Sequence, residues 1–269
     1  MRIFQFGCGN MGGAMLTGWL AGGIDPADFT VIDPYLASAP VGVRLLGAAP
    51  VGEAPADVVV LGFKPQQLAQ AAPAVVPHIG ADTLVLSILA GVDLATLRAT
   101  LAGAGAIVRV MPNLAAAIGK SPIALFGDAT GAGRATTDAL MAPLGQGEWL
   151  ADEAAMDLVT ALAGSGPAFV YRFIDALAAS AAALGLPRDQ ADRLALAMVE
   201  GAAQLAAVSP HDPGELANRV ASPGGVTRAG LNVLDADDRL VHLMIDTLRA
   251  ARDRNAEMTA EAIRQMGAK

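Results

Sequence analysis

Six residues near the N-terminus constrain this chain more than any others. Gly7-Cys8-Gly9-Asn10-Met11-Gly12 has the spacing G-x-G-x-x-G. It follows Arg2–Phe6, a short run with strand character, and opens Asn10–Ala21, a stretch with helical character. In that setting each glycine has a separate task. Gly7 permits a tight turn, Gly9 lets the backbone approach a pyrophosphate, and Gly12 lets helix and strand pack closely. The helix N-terminus then offers free N–H groups and a positive dipole end to the phosphates. The 22 residues from Ile3 to Ile24 carry no charge, a length that would also fit a targeting segment or membrane span. Seven glycines, with Gln5 and Asn10 breaking the apolar run, favour the folded turn instead.

The first half of the chain repeats this alternation. Arg2–Phe6, Phe29–Asp33, Val58–Gly62, Thr83–Ile88 and Ile107–Met111 read as strands rich in Val, Ile and Leu. Asn10–Ala21, Gln66–Val76 and Asp93–Leu101 read as helices between them, and a helix near Arg134–Pro143 and a strand near Trp149 complete the unit. Near-continuous apolar strands alternating with helices indicate an α/β fold with a doubly wound parallel sheet, covered on both faces. From about Asp152 helical periodicity takes over. Glu153–Leu162, Ala168–Leu184, Arg188–Val208, Gly225–Leu234 and Asp238–Ile263 read as helices. The expected domains are therefore residues 1–151 and an all-α region, 152–269. At 269 residues the chain is long enough for two cores of ordinary size. Arg172 and Asp175 interrupt the most apolar helix, which argues against a membrane span. Helices this apolar are expected to finish their burial against a second subunit.

Further residues on the sheet's rim follow from topology. Asp33 ends the second strand, 21 residues after Gly12. A carboxylate there can accept hydrogen bonds from adenosine ribose hydroxyls and would repel a 2′-phosphate. With no Arg or Lys between Asp33 and Arg44, the residues favour NADH over NADPH. In such sheets the carboxyl ends of the strands face the ligand crevice. Phe63-Lys64-Pro65, Leu89-Ala90 and Asn113 all follow strands and are candidates for lining it.

Composition excludes several alternatives. A net charge of −8 with no basic run gives no footprint for nucleic acid or for an anionic membrane surface. Cys8 is the single cysteine, so no internal disulfide forms; no His/Cys cluster has metal-ligand spacing, and no metal is expected. This cysteine usage fits a reducing, cytoplasmic setting.

Two motifs mark the second half. Gly164-Ser165-Gly166-Pro167 interrupts one helical pattern and restarts another, with Pro in the favoured first turn. Ser222-Pro223-Gly224-Gly225-Val226-Thr227 places two glycines before a helix. Read as local structure, this is a helix cap. Read functionally, its free N–H groups suit a small carboxylate, with the Thr227 hydroxyl in the first turn beside them.

Taken in order, these pieces resemble the pyrroline-5-carboxylate reductase family along essentially the whole chain. The resemblance rests on Leu216–Asp235, ending Ser-Pro-Gly-Gly-Val-Thr-Arg-Ala-Gly-Leu-Asn-Val-Leu-Asp, and on residues 7–12, 64–65, 90–92, 111–113 and 164–168. It implies an N-terminal Rossmann domain and a helical C-terminal domain that dimerises by interleaving, with larger rings of dimers in some members. It implies hydride transfer from NADPH or NADH to the cyclic imine 1-pyrroline-5-carboxylate, giving L-proline. By position, Ser222, Gly224, Gly225, Val226 and Thr227 would hold the substrate carboxylate, and Thr227 would meet the ring nitrogen. Three positions depart from the pattern: Asp33 replaces Ser, Asn or Arg, Leu114 replaces a common Thr, and Asp212-Pro213-Gly214 replaces His-Pro-Gly.

Two other classes fit the outline. A β-hydroxyacid-type dehydrogenase needs a positioned acid/base, a lysine of the C-terminal domain in that family. This chain has no lysine between Lys120 and Lys269. A dinucleotide-binding protein without catalysis would not need the Ser222–Thr227 motif.

Overall fold

The computed structural model describes residues 1–267. The last two residues of the expected 152–269 domain lie outside that range. By compactness the chain divides into two units. The first holds Met1–Gly164 with the chain from Ala251 onward, and the second holds Ser165–Ala250.

The first unit is built on one eight-stranded sheet. Its strands are β1 (Ile3–Phe6), β2 (Phe29–Ile32), β3 (Arg44–Leu46), β4 (Val58–Leu61), β5 (Leu84–Ser87), β6 (Ala106–Met111), β7 (Ser121–Gly127) and β8 (Gly145–Trp149), in the spatial order β3-β2-β1-β4-β5-β6-β7-β8. Strands β1 to β6 pair in parallel. β7 then runs antiparallel to β6, and β8 parallel to β7. The sequence reading gave the parallel core and missed β3 and β7. β3 has only three residues, and Pro122 disguises β7, because proline removes a ladder donor.

Successive side chains on a strand point to opposite faces, and the two cores follow that rule. Ile3, Val31, Val58, Val60, Leu84 and Leu86 face one core, which α1 (Asn10–Ala21) enters with Met15, Leu16 and Trp19. The next residues along, including Phe4, Val59 and Val85, face the other, covered by α2 (Leu68–Val75) and α3 (Leu94–Thr100). Helix α4 (Gly131–Met141) adds Leu140 and Met141 to the first core. There Trp19 stacks on Phe29 at 5.5 Å and its indole N–H donates to the Leu140 carbonyl at 2.7 Å.

The chain order of the strands reverses at β1, which has β2 on one side and β4 on the other. That is the switch point at which open α/β sheets bind ligands. The glycine motif leaves β1 there.

After the sheet, the expected single helix Glu153–Leu162 is three short pieces: a 3₁₀ turn, α5 (Met156–Val159) and a π-helical turn, Thr160–Gly164. The second unit contains α6 (Gly166–Ala183), α7 (Arg188–Val208), α8 (Pro213–Arg219), α9 (Val226–Asp235) and the first part of α10 (Arg239–Gly267). α8 escaped the sequence reading. Pro167 lies in the first turn of α6, as its sequence context suggested. Among the described residues of this unit, Ala178, Ala191 and Ala195 form a small buried cluster, with Ile174, Leu177 and Ala181 packed against it. Tyr171, Leu194, Leu205, Val208, Val233 and Leu243 are all exposed. Among the described residues no helix is long and apolar enough to cross a membrane.

Candidate active site

The three glycines of the first motif can be tested one by one. Gly7 has φ +86, a conformation that L side chains rarely adopt. A Cβ there would lie 2.7 Å from the Phe63 nitrogen at the end of β4. A Cβ on Gly12 would lie 2.7 Å from Gln5 Nε2 and 2.9 Å from the Gly7 oxygen. Around Gly9 the space is open: nothing lies within 4 Å of a Cβ built there. The N-terminus of α1 has no side-chain cap, so its first-turn N–H groups stay available to an outside acceptor. A tight turn, a close helix-strand contact and one open, donor-rich edge together fit a dinucleotide pyrophosphate.

Asp33 closes this loop from the side. Its Oδ2 accepts the Cys8 N–H at 2.8 Å and its Oδ1 accepts the Tyr35 N–H at 2.9 Å. Each carboxylate oxygen keeps a lone pair for a further donor such as a ribose hydroxyl. Cys8 is buried beside it. Burial, and secondarily the Asp33 charge, push the Cys8 thiol pKa up, which makes it a poor nucleophile.

The other rim residues stand on the same edge, because β1, β4, β5 and β6 are adjacent and parallel. Phe63, Lys64 and Pro65 follow β4. Lys64 is exposed, its N–H donates to Gln67 Oε1, and Pro65 opens a 3₁₀ turn. After β5, Leu89 is buried and Ala90 is exposed. Asn113 follows β6 and is buried, with its side chain already engaged. Oδ1 accepts from Ala115 N, and Nδ2 donates to the Ala163 carbonyl in the π turn, both at 2.9 Å. Asn113 thus holds a turn in place.

In the second unit, Gly225 caps the N-terminus of α9 without a side-chain acceptor. Gly224 has φ +70, which favours glycine, and a Cβ on Gly225 would fall 2.4 Å from Ser222 Oγ and 3.0 Å from the Ser222 carbonyl oxygen, so a side chain there would displace the serine hydroxyl. Ser222, Gly224, Val226 and Thr227 are exposed and Gly225 half-buried. The Gly225 N–H, expected from the sequence to be free, donates to the Ser222 carbonyl at 3.0 Å; the N–H groups of Val226 and Thr227, in the first turn, and the helix dipole remain to suit a small anion.

Comparison with known proteins decides the family. A pyrroline-5-carboxylate reductase of Pseudomonas aeruginosa is 34% identical over 267 residues, 97% of each chain. The chain belongs to the pyrroline-5-carboxylate reductase family. The family model for pyrroline-5-carboxylate reductase dimerisation matches residues 153–258, and that for coenzyme F420-dependent NADP oxidoreductases matches residues 2–91. Among solved structures, a pyrroline-5-carboxylate reductase of Coxiella burnetii is 30% identical, with a TM-score of 0.86 over 95% of this chain and 97% of its own. A Plasmodium falciparum pyrroline carboxylate reductase with NADP bound shares the fold at 22% identity, TM-score 0.80, over 96% and 98%.

Two polar groups of this family member were missed in its sequence. Gln5 is fully buried in β1, and its Nε2 donates to the carbonyls of Gly7 at 3.2 Å and Gly12 at 3.0 Å. The signal was there: Gln5 is the one polar residue in an otherwise apolar strand. Arg109 is buried on β6 and pairs with Glu153 at 2.6 Å. The same Glu153 oxygen accepts the Leu94 N–H at 2.7 Å. Nearby, hydrogen bonds from Thr96 hold the Asp93 carboxyl below the usual carboxylate range. Asp93, Arg109 and Glu153 line a cavity of about 270 Å³ with Gly91, Ala154, Met156 and Asp157.

Proposed function

We propose that the chain reduces 1-pyrroline-5-carboxylate to L-proline with NADH or NADPH. The observation that carries this reading is the pairing, in one chain, of an open dinucleotide loop with an uncapped, glycine-bearing helix N-terminus suited to a carboxylate. Family membership over nearly the full length supports it. We assign residues 1–151 to dinucleotide binding and 152–269 to dimerisation and substrate binding.

A bound dihydronicotinamide supplies the hydride that reduces the C=N bond. The chain's own residues bind and orient. The residues 7–12 and the first turn of α1 hold the pyrophosphate, while Asp33 receives the ribose hydroxyls and disfavours a 2′-phosphate. Phe63, Lys64, Pro65, Leu89, Ala90 and Asn113 line or support the cofactor rim. Ser222, the Gly224 N–H and the first-turn N–H groups of Val226 and Thr227 fix the substrate carboxylate, with Gly225 shaping the turn through its N–H to the Ser222 carbonyl, and Thr227 orients the ring nitrogen. An imine is basic enough to arrive protonated, so positioning and electrostatics suffice and no strong general acid is needed. The reduced nitrogen keeps that proton, and the product is a secondary amine.

The exposed apolar surface of the second unit, set against its small buried cluster, supports assembly with a second copy. We assign a homodimer, or a ring of such dimers, in the cytoplasm.

Steady-state reduction of 1-pyrroline-5-carboxylate and of 1-pyrroline, which lacks the carboxylate, tests the assignment. The carboxylate-bearing imine is expected to be favoured by about 100-fold or more in kcat/KM, as for a charge-assisted contact to backbone donors. Thr227→Ala is expected to lower kcat/KM about tenfold or more, as loss of one positioning hydrogen bond to a charged group does. Equal efficiencies for the two imines, or an unimpaired Thr227→Ala, would contradict the roles given.

A further inference from the structure

We propose that Gln5 is a positioning residue for the dinucleotide loop: with Asp33 it clamps the Gly7–Cys8 peptide plane from both sides. This rests on the cofactor role given to that loop above.

The C=O and N–H of a trans peptide point in opposite directions. In the Gly7–Cys8 peptide the carbonyl points inward to Gln5 Nε2, at 3.2 Å. The N–H of the same peptide points outward to Asp33 Oδ2, at 2.8 Å. With both ends held, the plane cannot rotate without breaking a bond. The same Nε2 also holds the Gly12 carbonyl, at 3.0 Å, so one amide joins the first and last glycines of the motif. The amide's orientation follows from its partners. Flipped, Gln5 would set Oε1 against two carbonyl oxygens. Its Oε1 is buried without a hydrogen-bond partner. An apolar side chain would avoid that penalty, so Gln5 contributes through Nε2: chiefly the two carbonyl bonds, with a lesser interaction at the Cys8 thiol.

Rotation of this plane matters because Gly7 has φ +86 and lacks a side chain to resist it. Swinging the Gly7 carbonyl outward would bring an oxygen toward the edge meant for phosphate. The clamp fixes which backbone groups face that edge before any ligand arrives, which lowers the ordering cost of binding.

The test combines direct titration of NADH and NADPH with amide hydrogen exchange, in the parent and in Gln5→Met. Met is close in size and has no donor. The Kd for dinucleotide is expected to rise about five- to tenfold, the worth of roughly one net hydrogen bond, with kcat at saturation unchanged within about twofold. The Cys8 amide, protected in the parent, is expected to lose protection in Gln5→Met although its own acceptor Asp33 is intact. A merely structural role would lower the melting temperature and leave Cys8 exchange and dinucleotide Kd unmoved; that result overturns the proposal. Should Gln5→Met fail to fold, Gln5→Leu takes its place, and an unprotected Cys8 amide in the parent overturns the proposal by itself. A parent that binds neither dinucleotide contradicts the cofactor assignment instead, and the exchange data still judge the clamp.

Discussion

Replacing each motif glycine by alanine separates folding from binding. At Gly7 the φ of +86 is strained for any L residue, by about 1–2 kcal/mol. The added Cβ would also lie 2.7 Å from the Phe63 nitrogen, a backbone atom fixed at the end of β4. Overpacking of that kind costs about 1–3 kcal/mol more. Gly7→Ala is thus expected to lose about 2–5 kcal/mol of stability, a large share of the roughly 5–15 kcal/mol a domain has. At about 2–4 °C per kcal/mol for a unit this size, melting should fall by roughly 4–20 °C. Gly9 is the opposite case. Its φ of −70 suits any residue, and a Cβ meets nothing within 4 Å. Gly9→Ala should melt within about 2 °C of the parent or slightly higher, because alanine restricts the unfolded chain. Yet that open space is where a pyrophosphate must approach, so its dinucleotide Kd should rise more than about tenfold. Thermal melts and fluorescence titration with NADH read both effects. A Gly9→Ala protein that binds as tightly as the parent, or a Gly7→Ala protein that melts with it, would refute the reasoning.

Three other expectations follow from single contacts. Asp33→Ser removes the carboxylate proposed to receive the ribose hydroxyls and should raise the NADPH:NADH ratio of kcat/KM about tenfold or more; an unchanged ratio would remove Asp33 from cofactor selection. His78 is buried between Phe4 and Phe6, its Nδ1 has no hydrogen-bond partner, and burial pushes its pKa below the ordinary 6.5. Neutral His78 is therefore favoured by folding. Its contribution is complete above about pH 6.5 and is lost as pH falls toward the lower folded value, at no more than about 1.4 kcal/mol per pH unit. Urea unfolding at pH 7.5 and 5.5 should show a smaller difference in His78→Leu than in the parent; equal differences would contradict the burial argument. Glu153→Ala leaves the Arg109 guanidinium buried without its carboxylate and the Leu94 N–H without an acceptor. It should cost about 1–3 kcal/mol in denaturant unfolding, with no loss expected only if Arg109 reaches water on its own.

How much of this could be read from the sequence depends on what each residue is forced to do. The glycine loop was legible because three glycines at fixed spacing mark places where a Cβ would be in the way, and the structure gives each a different reason: a positive φ at Gly7, open space at Gly9 and a close helix-strand contact at Gly12. The strand ends were legible because apolar runs stop at turn residues. β7 was hidden by Pro122, and the helix read through 153–162 concealed a π turn, since neither periodicity nor propensity marks a change in hydrogen-bond register. The change of pattern at Asp152 marks where β-type runs cease, while compactness assigns the chain through Gly164 to the first unit. Gln5 stood out only as a break in an apolar run and Arg109 not at all, because their partners, Gly12 and Glu153, lie seven and 44 residues away and only folding joins them. In the second unit the apolar positions were evident. That they stay exposed in a single chain was foreseen only as an expectation of a second subunit.

The central claim is tested most directly by following NADH and NADPH absorbance, separately, with purified protein and 1-pyrroline-5-carboxylate, and identifying the product. Oxidation that depends on the imine, with one L-proline formed per dinucleotide oxidised and greater efficiency with NADH, is the result predicted. Protein that is folded and binds dinucleotide, yet forms no proline with either cofactor, would contradict it.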